Sequence, residues 1–281
     1  MIAVRLEGRL GNQMFQYAFI YNASTQLKTN FYLDKSIDDF LLPKYFKINC
    51  DFVNILDKYL FSITGFKNFF KFYIKRAFYN FLPHLFQLKQ VIIVDNDGSN
   101  DQYTQKLLDR CLYIGYFQSE IFFRENSQSI KSIFTIKDFY KNQFQHIISK
   151  LPLHDKLVVV HVRRGDYLSI GYTFDNAYYH KAIQSVNCEG FFFVFVSDDT
   201  NFVKVEFDYL PNKFVSNFSE IIDLQLLIHA DVCILTKSSF SWWGAYLNEN
   251  NAKVIIPDEW FYKGETVRTP KDFVLDNWIS L

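Results

Sequence analysis

The sequence has few of the features that assign a chain to a specialised class of protein. Its four cysteines (Cys50, Cys111, Cys188 and Cys233) form no Cys-x-x-Cys pair, which argues for free thiols rather than a disulfide scaffold or a zinc site. Basic and acidic side chains balance at 30 each, so bulk charge does not point to a polyanion. No uncharged apolar run is long enough to span a bilayer, and no leader-like segment opens the chain, so we expect a cytoplasmic protein.

What the chain does contain is an alternation of strand-like and helix-like segments. Apolar, largely β-branched or aromatic runs predict buried parallel strands at residues 157–160, 191–196 and 232–235. Alternation of such strands with helices is typical of α/β proteins with right-handed crossovers. Pro152 marks the predicted boundary between two domains. We therefore predict a first domain over residues 1–150, a second over 151–265, and a segment over 266–281 for which packing back on the first domain is one arrangement.

The most informative segment is HVRRGDY at residues 161–167, directly after the predicted strand at 157–160. Ligands of open α/β sheets bind beyond the carboxyl ends of the strands, and a guanidinium matches phosphate oxygens in a bidentate way. Only eight of the 30 basic side chains are arginines, and Arg163 and Arg164 are two of them. The segment indicates a phosphate site, while a solvated basic turn is the simpler alternative.

Three further loops follow predicted strands. They are GRLGNQ at residues 8–13, after a strand-like run at 2–6, SDDT at 197–200 and TKSSFS at 236–241. Glycines allow a ligand to approach the backbone, carboxylates accept hydrogen bonds from ribose or bind a metal, and hydroxyls with free amides at a helix start suit a diphosphate. Each loop is also compatible with a plain βα turn or a helix cap. Together they favour a nucleotide-diphosphate site in a cleft.

One segment departs from the balance of charge. Between Asp57 and Asp95 there are six basic side chains and no acidic one, and aromatic residues are interleaved with them. Lys67, Lys71 and Lys75 have helical i, i+4 spacing, so they form one stripe of a predicted helix. The segment 58–89 either makes a peripheral contact with an anionic inner-membrane surface or packs as a core helix with its lysines in water. A nucleic-acid role is disfavoured because no binding motif accompanies it.

Four segments, in chain order, resemble the motifs of one enzyme family. They are HVRRGDY at 161–167, VSDD at 196–199 and SSFSWWG at 238–244, with GRLGNQMFQYA at 8–18 as an amino-terminal signature. This set is similar to the bacterial α-1,2-fucosyltransferases of glycosyltransferase family 11. The resemblance ends at about Trp243 and is weak over residues 30–150, where we place the acceptor site.

The resemblance implies a fold, a donor and a reaction. The implied fold is α/β and GT-B-like, with two Rossmann-like domains facing each other across a cleft. The implied reaction is an inverting α-1,2 transfer of L-fucose from GDP-L-fucose to a galactose-terminated acceptor, free or lipid-linked, of a surface glycan such as lipopolysaccharide. No metal and no other cofactor is implied. A GDP-sugar-binding protein, a hydrolase and a fucosyltransferase of another linkage are the alternatives.

The resemblance also implies roles for individual residues. Arg163 and Ser239 correspond to groups that contact the β-phosphate, His161 to a group near the guanine, and Asp223 to the carboxylate that recognises the base. The implied catalytic residues are Arg9, Asn12, Arg163 and Asp166. The implied donor-binding residues are His161, Arg163, Arg164, Ser197, Asp198, Asp199, Asp223, Ser238, Ser239 and Phe240.

A few positions depart from the family pattern or invite another interpretation. Arg9 replaces a glycine, as in the protein O-fucosyltransferases, Phe202 replaces a tryptophan, and Lys237 replaces an asparagine. These changes leave the donor chemistry in place, and they leave the acceptor and the exact linkage open. Asp198 with Asp199, and the Asp-Asn-Asp run at residues 95–97, each resemble a metal site. We expect no metal, because arginine and helix-start amides already supply positive charge.

Overall fold

The computed structural model describes residues 1–38, 40–48, 53, 56, 68–94, 107–173, 175–186, 188–269 and 271–281. The chain forms two compact units, Met1–Lys137 and Asp138–Leu281. Both are α/β, as the alternation of strand-like and helix-like segments predicts. The second unit includes residues 138–150 and 266–281, which the sequence analysis assigns to the first domain and to a separate segment.

The first unit is built around a four-stranded parallel sheet. Its elements are β1 (Ile2–Arg5), α1 (Leu10–Leu27), β2 (Phe31–Asp34), α2 (Leu42–Tyr45), α3 (Asn68–Leu85), β3 (Gln90–Ile93), β4 (Cys111–Ile114), two 3-10 turns (Glu120–Phe122 and Arg124–Asn126) and α4 (Ser127–Ile133). The strand order is β2-β1-β4-β3. The chain therefore leaves β1 on one side and returns on the other, which creates a switch point beyond the carboxyl ends of β1 and β4.

The core of the first unit lies on both faces of β1. Ile2, Ala3 and Val4 are all fully buried, as expected for a strand with a neighbour on each side. Tyr79 and Leu82 of α3 pack with Ala3 in one apolar cluster, which also holds Tyr32 of β2 and Leu112 of β4. One face of α3 is thus fixed to the sheet.

The second unit has a larger sheet and a small accessory one. Its elements are α5 (Asp138–Ile148), β5 (Lys156–Val162), α6 (Gly165–Ile170), β6 (Tyr172–Thr173), α7 (Asn176–Gln184), β7 (Phe191–Ser197), α8 (Thr200–Glu206), β8 (Lys213–Val215), α9 (Glu220–Ile228), β9 (Val232–Ile234), α10 (Ser239–Tyr246), β10 (Lys253–Ile256), β11 (Glu259–Tyr262), β12 (Glu265–Arg268), a 3-10 turn (Lys271–Phe273) and β13 (Ile279–Ser280). An antiparallel sheet of order β12-β11-β6 accompanies the main sheet.

The main sheet of the second unit has the strand order of a Rossmann fold. Its six parallel strands lie in the order β13-β10-β9-β5-β7-β8. Numbered from β5 along the chain, this is the order 3-2-1-4-5-6, with the switch point between the first and fourth strands. These two strands are β5 and β9, so the fold places a ligand crevice at their carboxyl ends.

The carboxyl-terminal residues belong to this second unit. Strand β13 pairs with β10 through Ile255 and Ile279. The indole Nε1 of Trp242, which is fully buried, donates a 2.7 Å hydrogen bond to the carbonyl of Phe273. Strand β13 therefore extends the main sheet of the second unit at the edge of β10, and packing of this segment on the first domain stays a prediction.

In the described part of the chain, no helix combines the length and the apolar character that a membrane span requires.

Candidate functional site

The carboxyl edge of the second sheet collects most of the residues that the sequence singles out. The loops after β5 and β9 flank the switch point, and the loop after β7 lies next to them. The loop after β5 contains residues 163–164, the loop after β7 contains residues 198–199, and the loop after β9 contains residues 236–238. Parallel pairing alone therefore brings three separate motifs to one edge of one sheet.

Arg163 is held between two carboxylates. Its Nη2 lies 2.6 Å from Oδ1 of Asp166, and its Nη1 lies 3.0 Å from Oδ2 of Asp198. The arginine side chain is mostly buried, whereas Asp166 is well exposed. The guanidinium carbon also lies 5.4 Å from the ring centre of Tyr167. A guanidinium restrained on several sides is oriented before any anion arrives, which is the condition for strong electrostatic stabilisation.

Asp198 organises the loop as well as the arginine. Its Oδ1 accepts a 2.9 Å hydrogen bond from the amide of Arg164, while Oδ2 pairs with Arg163. Gly165 approaches so closely that a Cβ there would lie 2.8 Å from Oδ2 of Asp198. A larger residue at this position would therefore have to displace the carboxylate of Asp198. Both oxygens of Asp198 are engaged inside the protein, and its predicted contact with a ribose stays a prediction.

Arg164 is committed to local packing. Its guanidinium carbon lies 3.7 Å from the ring centre of Phe202, and Nε lies 3.5 Å from Oδ2 of Asp199. Asp199 in turn caps α8, because its Oδ1 accepts a 3.0 Å hydrogen bond from the amide of Phe202. The hydroxyl of Ser197 accepts a 2.9 Å bond from the amide of Asp199. The hydrogen bonds of this loop therefore support its interpretation as a helix cap.

His161 is a buried, neutral side chain with one unused nitrogen. Burial, followed by the charge of Arg163, lowers its pKa to about 3, so the imidazole is uncharged at neutral pH. Its Nδ1 is buried and has no hydrogen-bond partner among the described residues. The ring of Phe240 lies 5.6 Å away, between ring centres. A ligand with a suitable polar edge would satisfy this nitrogen.

The start of α10 offers backbone donors beside the arginine loop. The first turn of a helix leaves its amides without intrahelical acceptors and carries partial positive charge. Ser238 is the N-cap residue, and its side chain makes no capping hydrogen bond, so it does not compete for these amides. They belong to Ser239, Phe240 and Ser241. Burial lowers the pKa of the neighbouring Lys237 to about 8, which still leaves the amine largely protonated at pH 7. An anion is favoured here.

Two tyrosines with no role predicted from the sequence lie at these loops, and one of them, Tyr167, connects them. The hydroxyl of Tyr167 donates a 3.0 Å hydrogen bond to the carbonyl of Lys237, which joins the loop after β5 to the loop after β9. Tyr179 of α7 is buried close to Thr236 and to the backbone of Arg163, and its hydroxyl makes no hydrogen bond among the described residues. Because Tyr167 is within the HVRRGDY motif, its place at the candidate site could have been predicted from the sequence. The sequence around Tyr179 resembles that of an ordinary core residue and does not indicate a place at the candidate site.

Asp223 lies in the first turn of α9, after β8. Its Oδ1 accepts a 2.5 Å hydrogen bond from the hydroxyl of Ser216, which is itself buried and accepts from the amide of Phe218. Burial raises the pKa of Asp223 to about 7, and the negative charge of Glu220 adds to this while the Ser216 bond opposes it. A carboxyl group that is half protonated near neutral pH is poised to accept or release a proton when a ligand binds.

Arg9 and Asn12 lie in the first unit, at the switch point of its own sheet. Gly8, just before them, has a φ of 85°, and a Cβ there would lie 2.4 Å from Nδ2 of Asn12, so only glycine fits. The amide of Gly8 donates a 2.7 Å hydrogen bond to Asp38. Oδ1 of Asn12 accepts a 3.1 Å bond from Gln118, which follows β4. Arg9 is exposed at the start of α1.

Two other features bear on the interpretation of the site. Among the described residues, no group of three or more histidine, cysteine or acidic side chains is placed to hold a metal ion. The Asp-Asn-Asp run at residues 95–97 lies outside the described residues.

A cavity of about 590 Å³ opens at the opposite, amino-terminal edge of the second sheet, lined by Phe192 and Phe214 among others. None of the predicted site residues lines it, so we place the chemistry at the carboxyl edge.

Two solved glycosyltransferases are similar to this structure. The NodZ α-1,6-fucosyltransferase co-crystallised with GDP is 13% identical and matches over 96% of this chain and 98% of its own, with a TM-score of 0.55. A glycosyl transferase family 9 protein of Veillonella parvula is 10% identical over 91% of this chain and 80% of its own, with a TM-score of 0.51. The fold is that of the GT-B-like glycosyltransferases, as the resemblance implies.

The sequence comparisons narrow this class to one family. The model of glycosyl transferase family 11 matches residues 62–281, and the chain belongs to this family. An α-1,2-colitosyltransferase of Escherichia coli is 30% identical over 94% of each chain. The O-antigen biosynthesis glycosyltransferase WbnK of Escherichia coli is 27% identical over 98% of this chain and 99% of its own. The rat galactoside α-(1,2)-fucosyltransferase 1 is 26% identical over 98% of this chain and 71% of its own.

Proposed function

We propose that this family 11 glycosyltransferase transfers L-fucose from GDP-L-fucose to the 2-hydroxyl of a galactose unit in a surface glycan or oligosaccharide. The observation that carries the proposal is Arg163, restrained by Asp166 and Asp198 at the switch point of a Rossmann sheet beside the start of α10. A restrained guanidinium and a helix start together form a site for a diphosphate.

The diphosphate would lie between Arg163 and the start of α10. The guanidinium has donors beyond the two that contact carboxylates, and the amides of Ser239 and Phe240 lie in the first turn of the helix. Lys237 adds a third source of positive charge. A solved neighbour supports this donor class, since the NodZ α-1,6-fucosyltransferase was co-crystallised with GDP and, in another structure, soaked with GDP-fucose.

The guanine would meet Asp223 and His161. The guanine edge presents N1–H and N2–H₂ side by side, and an ionised carboxylate accepts from both. Ser216 fixes one oxygen of Asp223, so the carboxylate is held in one orientation. The unpaired Nδ1 of His161 supplies a second polar contact within the same edge of the sheet. Buried polar groups that need these bonds discriminate strongly against a base that cannot make them.

The chemical step would be a single displacement with inversion. The bond from the sugar C1 to the β-phosphate oxygen breaks, its electron pair leaves with GDP, and the acceptor hydroxyl oxygen forms a new bond to C1 while its proton is released. Arg163 and the α10 amides stabilise the negative charge that grows on the leaving diphosphate. Asp166, Arg9 and Asn12 are the other residues to which we assign catalytic roles. Arginine and amide donors supply the charge that a metal supplies elsewhere.

A second donor has specific support. The α-1,2-colitosyltransferase matches over nearly the full length of both chains, and colitose is L-fucose without its 3-hydroxyl. A site that makes no bond to this hydroxyl accepts either sugar, whereas a site that hydrogen-bonds it rejects colitose. The acceptor assignment rests on the names of the galactoside α-(1,2)-fucosyltransferases and on the O-antigen role in the name of WbnK.

The test is a donor and acceptor assay with linkage analysis. The protein is incubated with GDP-fucose or GDP-colitose, alone and with galactosides, and both GDP release and glycoside products are measured. We expect product only with a galactoside present and an α-1,2 linkage in that product. GDP release without an acceptor at the same rate indicates a hydrolase, and binding without turnover of any donor indicates a sugar-nucleotide-binding protein. Either result overturns the proposal.

A further inference from the structure

Tyr167 contacts both elements between which the diphosphate is proposed to lie. The guanidinium carbon of Arg163 lies 5.4 Å from the centre of its ring. Its hydroxyl donates a 3.0 Å hydrogen bond to the carbonyl of Lys237, which directly precedes Ser238, the N-cap residue of α10. A single side chain of α6 therefore links the arginine to the backbone that leads into α10.

The hydrogen bond of Tyr167 does not depend on pH in the neutral range. Burial raises the pKa of Tyr167 to about 12, although the positive charge of Arg163 opposes this rise. The hydroxyl therefore keeps its proton and donates, and the carbonyl of Lys237 has no state in which it cannot accept. The two loops thus stay connected under all conditions in which the site would bind a nucleotide.

Aromatic contacts hold the ring of Tyr167 in place. The ring centre of Tyr172 in β6 lies 5.5 Å from that of Tyr167, and the ring centre of Tyr262 in β11 lies 4.6 Å from that of Tyr172. Both distances are within the range of favourable aromatic pairs. Strands β6 and β11 pair through Tyr172 and Tyr262. The accessory sheet, which contains none of the predicted site residues, is thus connected to the loop after β5 through Tyr167.

We propose that Tyr167 is a positioning residue that sets the distance between Arg163 and the first turn of α10, so that both bind the β-phosphate of one nucleoside diphosphate. This role rests on the proposed function, which places the diphosphate between these two elements. Donors that are fixed in place stabilise developing charge without reorganisation, and a misplacement of about 1 Å can cost on the order of 10² in rate. A nucleoside monophosphate has no β-phosphate and gains nothing from this spacing. Tyr167 therefore contributes to selectivity for a diphosphate.

The first experiment compares the binding of GDP and GMP by calorimetry in the wild type and in Tyr167→Phe, which keeps the ring and loses only the hydroxyl. We expect the wild type to prefer GDP by roughly 100-fold or more, because the β-phosphate adds charge-assisted hydrogen bonds. The preference should fall by about tenfold in the variant, mainly through weaker binding of GDP. A variant with the wild-type preference overturns the proposal. A wild type that does not prefer GDP contradicts the proposed function as well, so the two failures are distinguishable.

Tyr178 supplies the matched control. It is buried in the core of the second unit, and its hydroxyl donates a 2.7 Å hydrogen bond to the carbonyl of Leu235, directly after β9. Tyr178→Phe therefore removes the same group from the same stretch of chain without touching Arg163. It should lower the unfolding free energy and leave the preference for GDP over GMP unchanged. An equal loss of preference in both variants would show that any loosening of this stretch has the same effect, and overturns the proposal.

The second experiment tests whether Tyr167 acts through Arg163. In assays with GDP-fucose and a galactoside, Tyr167→Phe should lower kcat by about tenfold and leave KM for the galactoside unchanged. In the Arg163→Lys background the same substitution should have little further effect on kcat. Additive effects of the two substitutions on kcat overturn the proposal, because a residue that only stabilises the fold acts independently of the arginine.

A third measurement uses the wild type alone and does not depend on the folding of any variant. Hydrogen–deuterium exchange reports local opening of the segments 163–168 and 237–241. We expect GDP to slow exchange in both segments together, and GMP to slow it much less in both. Protection of residues 237–241 by GDP without protection of residues 163–168 would show that the two segments open independently, and overturns the proposal.

Discussion

Replacing Asp223 by asparagine should change how both stability and nucleotide binding depend on pH. The folded-state pKa of this carboxyl is raised from 3.8 to about 7, chiefly by burial. A raised pKa means that the folded state binds the proton more tightly than the unfolded state. The associated stability is fully present below pH 4 and is lost as the pH rises through about 7. Asp223→Asn has no such proton, so its stability should not fall over this range.

The size of the effect follows from the shift. About three pKa units at 1.36 kcal/mol each correspond to about 4 kcal/mol, which is a ceiling because the side chain retains some solvent contact. We expect the unfolding free energy of Asp223→Asn, relative to wild type, to rise by roughly 2–4 kcal/mol between pH 4.5 and pH 8. Denaturant unfolding at both pH values measures it. A relative stability that stays constant with pH would refute the reasoning.

The same group should couple GDP binding to proton release. The carboxylate accepts from both N1–H and N2–H₂ of guanine, whereas the protonated acid cannot, so wild-type affinity should fall by up to tenfold per pH unit below about 7. Asp223→Asn or Asp223→Ala should weaken GDP by about 2–4 kcal/mol, the range for truncating a buried charged partner. Calorimetry with GDP, ADP and IDP, which lacks the N2 amine, measures both effects.

Asp231 supplies the control for this experiment. It lies on the opposite edge of the same sheet, where Oδ2 accepts a 2.9 Å hydrogen bond from the amide of Leu157 and Oδ1 lies 3.1 Å from Nζ of Lys156. Asp231→Asn should alter stability more than nucleotide affinity. If Asp223→Ala keeps the wild-type preference for GDP over IDP, or if Asp231→Asn loses it equally, Asp223 is not the residue that recognises the base.

Three further outcomes are expected. Arg163→Lys should lower kcat by on the order of 10² or more, because lysine lacks the guanidinium fork. Arg164→Lys should have a milder effect, because Arg164 stacks on Phe202. Equal, small effects of both variants in steady-state assays would contradict the assignment. Asp198→Asn should lower kcat in the wild-type background but much less in the Arg163→Lys background. If the effects of the two substitutions on kcat are additive in this double-mutant cycle, Asp198 does not act through Arg163. Activity should survive excess EDTA, and complete loss with rescue by Mn²⁺ or Mg²⁺ would exclude our donor-site arrangement.

The strands that form wholly apolar runs could be predicted from the sequence, whereas β2 and β8, which include charged residues, could not. The runs at 157–160, 191–196 and 232–235 are confirmed as β5, β7 and β9. Their continuous apolar character reflects burial on both faces. Strands β2 (FYLD) and β8 (KFV) are about as short as β9, but each includes a charged residue, so no wholly apolar run marks them. The helix after β9 begins at Ser239, ahead of the tryptophan pair that marks its buried part.

The candidate site was predictable as a set of loops but not as a set of contacts. Motif spacing indicates that the loops after β5, β7 and β9 share one edge, and the sheet order confirms this. Asp198 is adjacent to Gly165 and Arg163 only because β7 pairs with β5 in a particular register. The link from Ser216 to Asp223 likewise depends on how the loop after β8 meets α9. Such pairings depend on tertiary packing, for which a single sequence carries no pattern.

The strand order of the second sheet has a consequence for synthesis on the ribosome. Every described strand of the first unit has its partners within that unit, so its sheet is complete once β4 has emerged. Strand β5, in contrast, pairs Val158 with Val232, so one of its edges stays uncovered while residues 198–231 are still being translated. An apolar strand with a free edge is prone to pair with other chains. Slow codons in that interval would therefore lower the yield of folded protein more than slow codons before β5.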